Sequence, residues 1–189
     1  MQIPIEVSAR HMHLKESDFQ ELFGKKTLSK MKYLSQIGEF ASSHTVDVVG
    51  PKSLIKNVRI IGPFREYTQL ELSITDAYNL GIKVPPIVIS GTDCKANDVL
   101  KIKGEKKEIT LSSRIIIAKR HLHISPEDAK KYNLINLQKI KIKVATKRSI
   151  IFEDVVVRIG QSKTQLSFQI DTDEANAAAI SKNCFGQII

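Results

Sequence analysis

Four of the chain's five histidines fall in two copies of one tetrapeptide, Arg10-His11-Met12-His13 and Arg120-His121-Leu122-His123. Each copy follows an apolar run, Ile3-Pro4-Ile5-Glu6-Val7 or Arg114-Ile115-Ile116-Ile117-Ala118, and each is followed by an apolar residue and a helix start. On an extended strand, residues i and i+2 project from the same face. Each His-x-His therefore sets two imidazoles side by side, and imidazole nitrogen is a good donor to first-row metal ions. Two pairs point to two half-sites, and two half-sites to a dinuclear centre.

A pair of imidazoles needs at least one further ligand. Laying the halves together reveals an internal repeat. After the first motif come Val58-Arg59-Ile60, Thr68-Gln69-Leu70 and Glu71; after the second come Val157-Arg158-Ile159, Thr164-Gln165-Leu166 and Gln169. Each half ends in a strand that runs into an acidic helix start. Glu71 and Gln169 occupy equivalent places, so the repeat offers a carboxylate to one half-site and a neutral amide to the other. Polar surface explains a single His-x-His; two copies with matching flanks favour a metal role. Zinc is the default for imidazoles plus one carboxylate with an open position, with iron, manganese and cobalt as alternatives.

Other residues are less decisive. Arg65, in the turn Gly62-Pro63-Phe64-Arg65, precedes Glu71 by six residues. It is either a solvated turn residue or a guanidinium that clamps phosphate or carboxylate bidentately. Asp171, Asp173 and Glu174 read first as helix capping and dipole compensation. Asn176 lies one turn further on, on a helix expected to cap the site. Gly50-Pro51-Lys52 reads as turn chemistry, although Lys52 could meet a phosphate. His44 stands alone before a strand and reads as exposed.

The elements that position these groups are mostly strands. Short β-branched runs at 3–7, 45–49, 58–61, 69–74, 87–90, 99–103, 108–111, 114–118, 140–144, 150–152, 155–159 and 165–170 are separated by Gly, Pro, Asn and Asp. Helices are expected over Glu16–Phe23, 75–79, Pro126–Lys131 and 172–181. The pattern implies a mainly β (α+β) fold of small barrels capped by short helices. There is no βαβ repeat and no glycine-rich phosphate loop.

Composition narrows the function. A hydrophobic share of 42% and a charged share of 26% fit an ordinary globular chain that needs no staples. The two cysteines, Cys94 and Cys184, match no metal or disulfide spacing, so a cytoplasmic setting is expected. No apolar stretch could span a bilayer, and the first residues lack a signal-peptide plan. A net charge of +9 suits nucleic acid or a polyanionic cofactor. With aromatics at 6% and no Trp, a base-stacking platform is poorly supported.

Several segments together resemble the propanediol-utilisation type phosphotransacylases, the phosphate propanoyltransferases. They are Val7-Ser8-Ala9-Arg10-His11-Met12-His13-Leu14, Leu34-Ser35-Gln36, Gly62-Pro63-Phe64-Arg65, Thr68-Gln69-Leu70-Glu71, Ser90-Gly91, Arg120-His121-Leu122-His123 and Asp171-Thr172-Asp173-Glu174-Ala175-Asn176-Ala177. The resemblance implies two β-barrels, one from residues 1–10 and 119–189, the other from 11–118, with a dinuclear zinc site between them. It implies reversible conversion of acyl-CoA and phosphate, propanoyl or acetyl, into acyl phosphate and CoA. His11, His13 and Glu71 would hold one zinc. His121 and His123 would hold the second, with Gln169 at the place of an expected third histidine. Arg65 would hold phosphate; Ser8, Ala9, Lys52, Arg59 and Asn176 would lie along CoA. His44 also departs from the family, at a place that is usually acidic. With Ile3 already in the first strand, the extension of compartment-associated members is not expected, which favours an acetate-linked housekeeping role. Neither nucleic acid nor membrane is an expected partner, and a homo-oligomer stays open. Two rivals remain: a dinuclear metallohydrolase acting on thioesters or phosphoesters, and a basic β-barrel module that binds nucleic acid.

Overall fold

The structure, a computed structural model, describes residues 2–189. In chain order the elements are β1 (Gln2–Val7), β2 (His11–His13), α1 (Glu16–Phe23), β3 (Lys30–Tyr33), β4 (Phe40–Val49), β5 (Leu54–Gly62), β6 (Gln69–Glu71), α2 (Ile74–Leu80), β7 (Ile87–Val88), β8 (Lys95–Lys103), β9 (Glu108–Ser113), β10 (Ile115–Ala118), β11 (His121–Ile124), α3 (Pro126–Lys131), β12 (Lys139–Val144), β13 (Ile150–Ile159), β14 (Ser167–Ile170), α4 (Thr172–Ala177) and β15 (Phe185–Ile188). The mainly β expectation holds. No helix among the described residues is long and apolar enough to cross a membrane.

The chain divides into two compact units. The barrel unit, residues 2–9 with Lys119–Ile189, closes in the order β1-β14-β11-β13-β12-β15. The sheet unit, Arg10–Ala118, is a nine-stranded sheet curled into a half-barrel, in the order β7-β10-β6-β2-β5-β4-β8-β9 with β3 on β4. Each unit has its own apolar core. Strand β12 shows how patterning builds one: in Lys-Ile-Lys-Ile-Lys-Val every apolar residue is buried and every lysine exposed. These lysines are solvated strand faces.

The two units repeat one local plan. Strand β2 runs parallel to β5 and antiparallel to β6, pairing His11 with Glu71. Strand β11 runs parallel to β13 and antiparallel to β14, pairing His121 with Gln169. The equivalence of Glu71 and Gln169 is thus a register fact. The Val-Arg-Ile match is out of phase, because Arg59 lies opposite His11 whereas Arg158 lies opposite His123. A one-residue slip would reverse strand faces, so these registers are fixed by burial.

Several boundaries differ from the sequence reading. The strand expected over 69–74 stops at Glu71, because Ser73 caps α2 in a capping box with Asp76. The helix expected over 172–181 ends at Ala177, and Ala179 takes left-handed backbone at φ 48°. Strand β15 was not anticipated, since Gly186 weakens its pattern. A side chain there would strike Ile142, its Cβ falling 2.5 Å from Cγ2, so any larger residue would force Ile142 to shift.

Candidate metal centre

In the sheet unit, Met12 is fully buried in the core, which turns its neighbours His11 and His13 to the opposite face. Burying a side chain of this size is worth about 1.5–3 kcal/mol, enough to pin the strand's orientation. The two rings meet edge-on with centroids 5.0 Å apart. One nitrogen or oxygen from each of His11, His13 and Glu71 lies within 4.8 Å of the others. His11 Nε2 stands 3.6 Å from Glu71 Oε2. The other Glu71 oxygen, Oε1, accepts from Ser90 Oγ at 2.5 Å and from Gln69 Nε2 at 2.8 Å. Ser90 and Gln69 thus hold one carboxylate oxygen and leave Oε2 toward the histidines.

His13 carries the clearest signature of a ligand. Its Nδ1 is the buried side-chain nitrogen or oxygen without a hydrogen-bond partner among the described residues. An unpaired buried polar atom costs about 1–3 kcal/mol, so it calls for a partner that the described residues do not supply. Burial, then the neighbouring His11 and Arg65, push its pKa down from 6.5 to about 2. The ring is therefore neutral at neutral pH, the form that donates a lone pair to a metal.

In the barrel unit, Leu122 plays the part of Met12. The His121 and His123 rings lie 4.6 Å apart, with their Nε2 atoms facing at 3.0 Å. His121 Nδ1 lies 2.8 Å from the Lys119 carbonyl oxygen. A carbonyl only accepts, so Nδ1 carries the proton and Nε2 presents its lone pair, a tautomer lock that metal-binding histidines use. Burial first, then His121 and Arg158, push the His123 pKa down to about 3, while Gln169 hydrogen-bonds the ring. Gln169 Nε2 also donates to Glu6 Oε2 at 3.0 Å. Glu6 was missed in the sequence, although a lone acid in an apolar strand was its signal. The donor set in both units fits a divalent cation: paired imidazoles plus one oxygen donor.

The arginine that opens each motif has a positioning role. Arg10 Nε bonds Asp76 at 2.7 Å, and Arg120 Nη1 bonds Glu174 at 2.7 Å. Both acids are the third residue of a helix capping box, after Ser73 and Asp171 respectively. Each arginine thus ties its histidine strand to the helix that follows the Glu71 or Gln169 strand. Burial and the nearby Asp171 push the Glu174 pKa up, and Arg120 opposes this.

Arg65 lies in the loop after β5; its backbone N–H donates to the Leu14 carbonyl and its Nη2 bonds Glu39 at 3.1 Å. Its charge reaches His13. Arg59 Nη1 donates to the Ser42 carbonyl at 2.8 Å, and Lys52 lies over the Tyr78 ring at 4.9 Å. Ser8, whose N–H donates to the Ile170 carbonyl, Ala9 and the exposed Asn176 belong to the barrel unit. His44 corrects the expectation of exposure. It is 7% exposed, within β4, with its ring against Phe19 and Phe23 at 5.0 and 5.1 Å and its Nδ1 3.1 Å from Ser42 Oγ. It is a core histidine because β4 begins at Phe40, five residues before the expected start.

The sequence profile of the phosphate propanoyltransferases matches residues 4–181. The phosphate propanoyltransferase of Clostridioides difficile (strain 630) is 43% identical over 99% of this chain and 88% of its own length. Those of Alkaliphilus metalliredigens and Thermotoga maritima are 44% and 41% identical, over 100% and 95% of this chain and 88% and 85% of their own lengths. A chain matched over nearly its whole length at this identity belongs to the phosphate propanoyltransferase family, and is an acyltransferase enzyme.

Proposed function

We propose that the chain transfers an acyl group, propanoyl or acetyl, reversibly between coenzyme A and inorganic phosphate, with one divalent ion, zinc first among candidates, in each half-site. His11, His13 and Glu71 would hold one ion; His121, His123 and Gln169 would hold the other. The observation that carries this reading is the His11–His13–Glu71 cluster, with one donor atom from each within 4.8 Å of the others, on a ring, His13, whose buried Nδ1 has no hydrogen-bond partner among the described residues. Bound ions would supply Lewis acidity toward a thioester carbonyl.

The chain's own groups account for the rest of the chemistry. Arg65 now pairs with the Glu39 carboxylate, so exchanging that partner for phosphate keeps its charge satisfied and uses the bidentate fork. A phosphate oxygen forms a bond to the acyl carbon as the carbon–sulfur bond breaks, and the departing thiolate takes up a proton as CoA. Positioning and electrostatics suffice, with no acyl-enzyme. Cys94 and Cys184 belong to neither half-site. Lys52 and Arg59, with Ser8, Ala9 and Asn176, are the residues assigned to CoA, and the net charge of +9 favours its phosphates.

The test is CoA release from propanoyl-CoA by the purified protein, with and without phosphate, before and after chelation. Release that needs phosphate, stops on chelation and returns with zinc is the expected result. Release without phosphate would make the protein a thioester hydrolase. Nucleic-acid binding that falls steeply with salt and needs no metal would favour the basic-barrel alternative.

A further inference from the structure

The barrel half-site differs from its counterpart in the atom that completes it. An amide oxygen is neutral and a weaker zinc donor than imidazole or carboxylate. A free glutamine amide can also rotate and present its nitrogen, which binds no metal. The structure supplies a remedy from the adjacent strand. Glu6 and Gln169 are register partners in the parallel β1–β14 pair. Their side chains meet through Gln169 Nε2 and Glu6 Oε2 at 3.0 Å. A carboxylate only accepts hydrogen bonds, so Glu6 fixes which end of the amide is which: the nitrogen must face Glu6. The oxygen then faces away from Glu6, and Gln169 also hydrogen-bonds the His123 ring. The sheet unit has no such carboxylate, since Glu71's partner on β10 is Ile116.

Resting on the metal reading of this half-site, we propose that Glu6 is a positioning residue that acts through Gln169. It holds the amide nitrogen so that the oxygen serves as third donor beside His121 and His123. The hydrogen bond also draws electron density toward that oxygen and places a negative charge directly behind the amide, offsetting its neutrality. The pair Glu6–Gln169 thereby does the work of a single stronger ligand.

The experiment is a zinc titration of the full chain against a competing chelator, on wild type, Glu6→Gln, Gln169→Ala and the double variant Glu6→Gln/Gln169→Ala. Side-chain amide NMR of Gln169 in the metal-free protein is read in parallel. Glu6→Gln is near-isosteric, and the melting of each metal-free variant checks its fold. The expected result is that Glu6→Gln weakens one of two zinc sites about 10- to 100-fold, the range seen for lost outer partners, and leaves the other unchanged. The Gln169 amide signals should shift in Glu6→Gln, and Glu6→Gln should add nothing in the Gln169→Ala background. Two zinc ions held equally by wild type and Glu6→Gln would overturn the role of Glu6 alone. An equal loss in the Gln169→Ala background would show that Glu6 does not act through the amide. Failure of wild type to bind a second ion at all would overturn the metal reading of this half-site, and this inference with it.

Discussion

The two half-sites share a frame and differ in where they keep their negative charge. Both have a His-x-His strand pinned by a buried apolar residue, an antiparallel partner strand carrying the candidate third donor, and an arginine tied to a capping box. In the sheet unit the charge is on the candidate donor, Glu71, and neutral groups, Ser90 and Gln69, hold it. In the barrel unit the candidate donor, Gln169, is neutral and the charge is on Glu6, which accepts from its amide nitrogen. Direct contact of a carboxylate with a cation is worth more than contact relayed through an amide. The barrel half-site should therefore be the weaker one, and most ways of testing the comparison come down to counting ions.

The largest effect is expected at His11 and His13. Replacing either with Ala should lower CoA release more than about 100-fold, the upper end of what even an outer-shell loss costs. One bound ion per chain should disappear while the barrel site keeps its own. If His13→Ala retained both ions, its unpaired Nδ1 would need another explanation. Arg65→Ala comes next. Losing a charge-assisted contact worth about 1.5–3 kcal/mol should raise the phosphate KM roughly 10- to 100-fold, with little change for acyl-CoA. Arg65→Lys should restore part of it, since lysine lacks the fork. Arg158 sits beside His123 much as Arg65 sits beside His13, each depressing its neighbour's pKa. An equal phosphate defect in Arg158→Ala would show that the assignment to Arg65 is not specific.

Much of this site was legible before the fold was known, for a physical reason. Period-two spacing fixes the face of His11/His13 and of His121/His123, and the repeat fixes the equivalence of Glu71 and Gln169. Those are local properties of short strands. Glu6, Gln69 and Ser90 gained no role from the sequence because their work is defined by neighbours across a ladder or loop, 163, 2 and 19 residues away along the chain. Gln69 is near in sequence, yet its partner in the network, Ser90, is not. His44 was misread for a related reason. Its burial depends on α1, whose Phe19 and Phe23 lie against it. Element ends also escaped, because Ser73 could continue a strand or cap a helix, and only Asp76 reaching back decides it.

A smaller effect is expected at Gln169. Gln169→His would give the barrel half-site three imidazoles and should raise its zinc occupancy after dialysis, by about tenfold in affinity if an outer-shell-sized gain applies. Metal counts on wild type and variant after identical dialysis check this. Two ions retained equally by both proteins would show that the Glu6–Gln169 pair already matches an imidazole, and that the half-sites differ in composition but not in strength. Turnover is a separate readout, because a stronger donor also makes the ion a weaker Lewis acid.

The smallest effect concerns pH and the histidine outside both half-sites. Burial, and then the charge of Lys25, lower the His44 pKa from its ordinary 6.5, while Glu105 opposes this. The folded chain thus binds a proton at this ring less readily than the unfolded chain. Stability from this group is present in full above about pH 6.5 and is lost as pH falls from there toward the lower folded value. The metal-free protein should show the loss, because a bound ion would add its own proton-linked release to the curve. His44→Phe keeps an aromatic ring against Phe19 and Phe23, removes the titrating nitrogen and leaves Ser42 Oγ its bond to the Ser29 carbonyl. Thermal melts of metal-free wild type and His44→Phe between pH 7.5 and pH 5 should diverge, the variant losing less stability on acidification. Parallel curves would mean that His44 takes up its proton equally readily in the folded and unfolded chain, so that its burial carries no acid sensitivity.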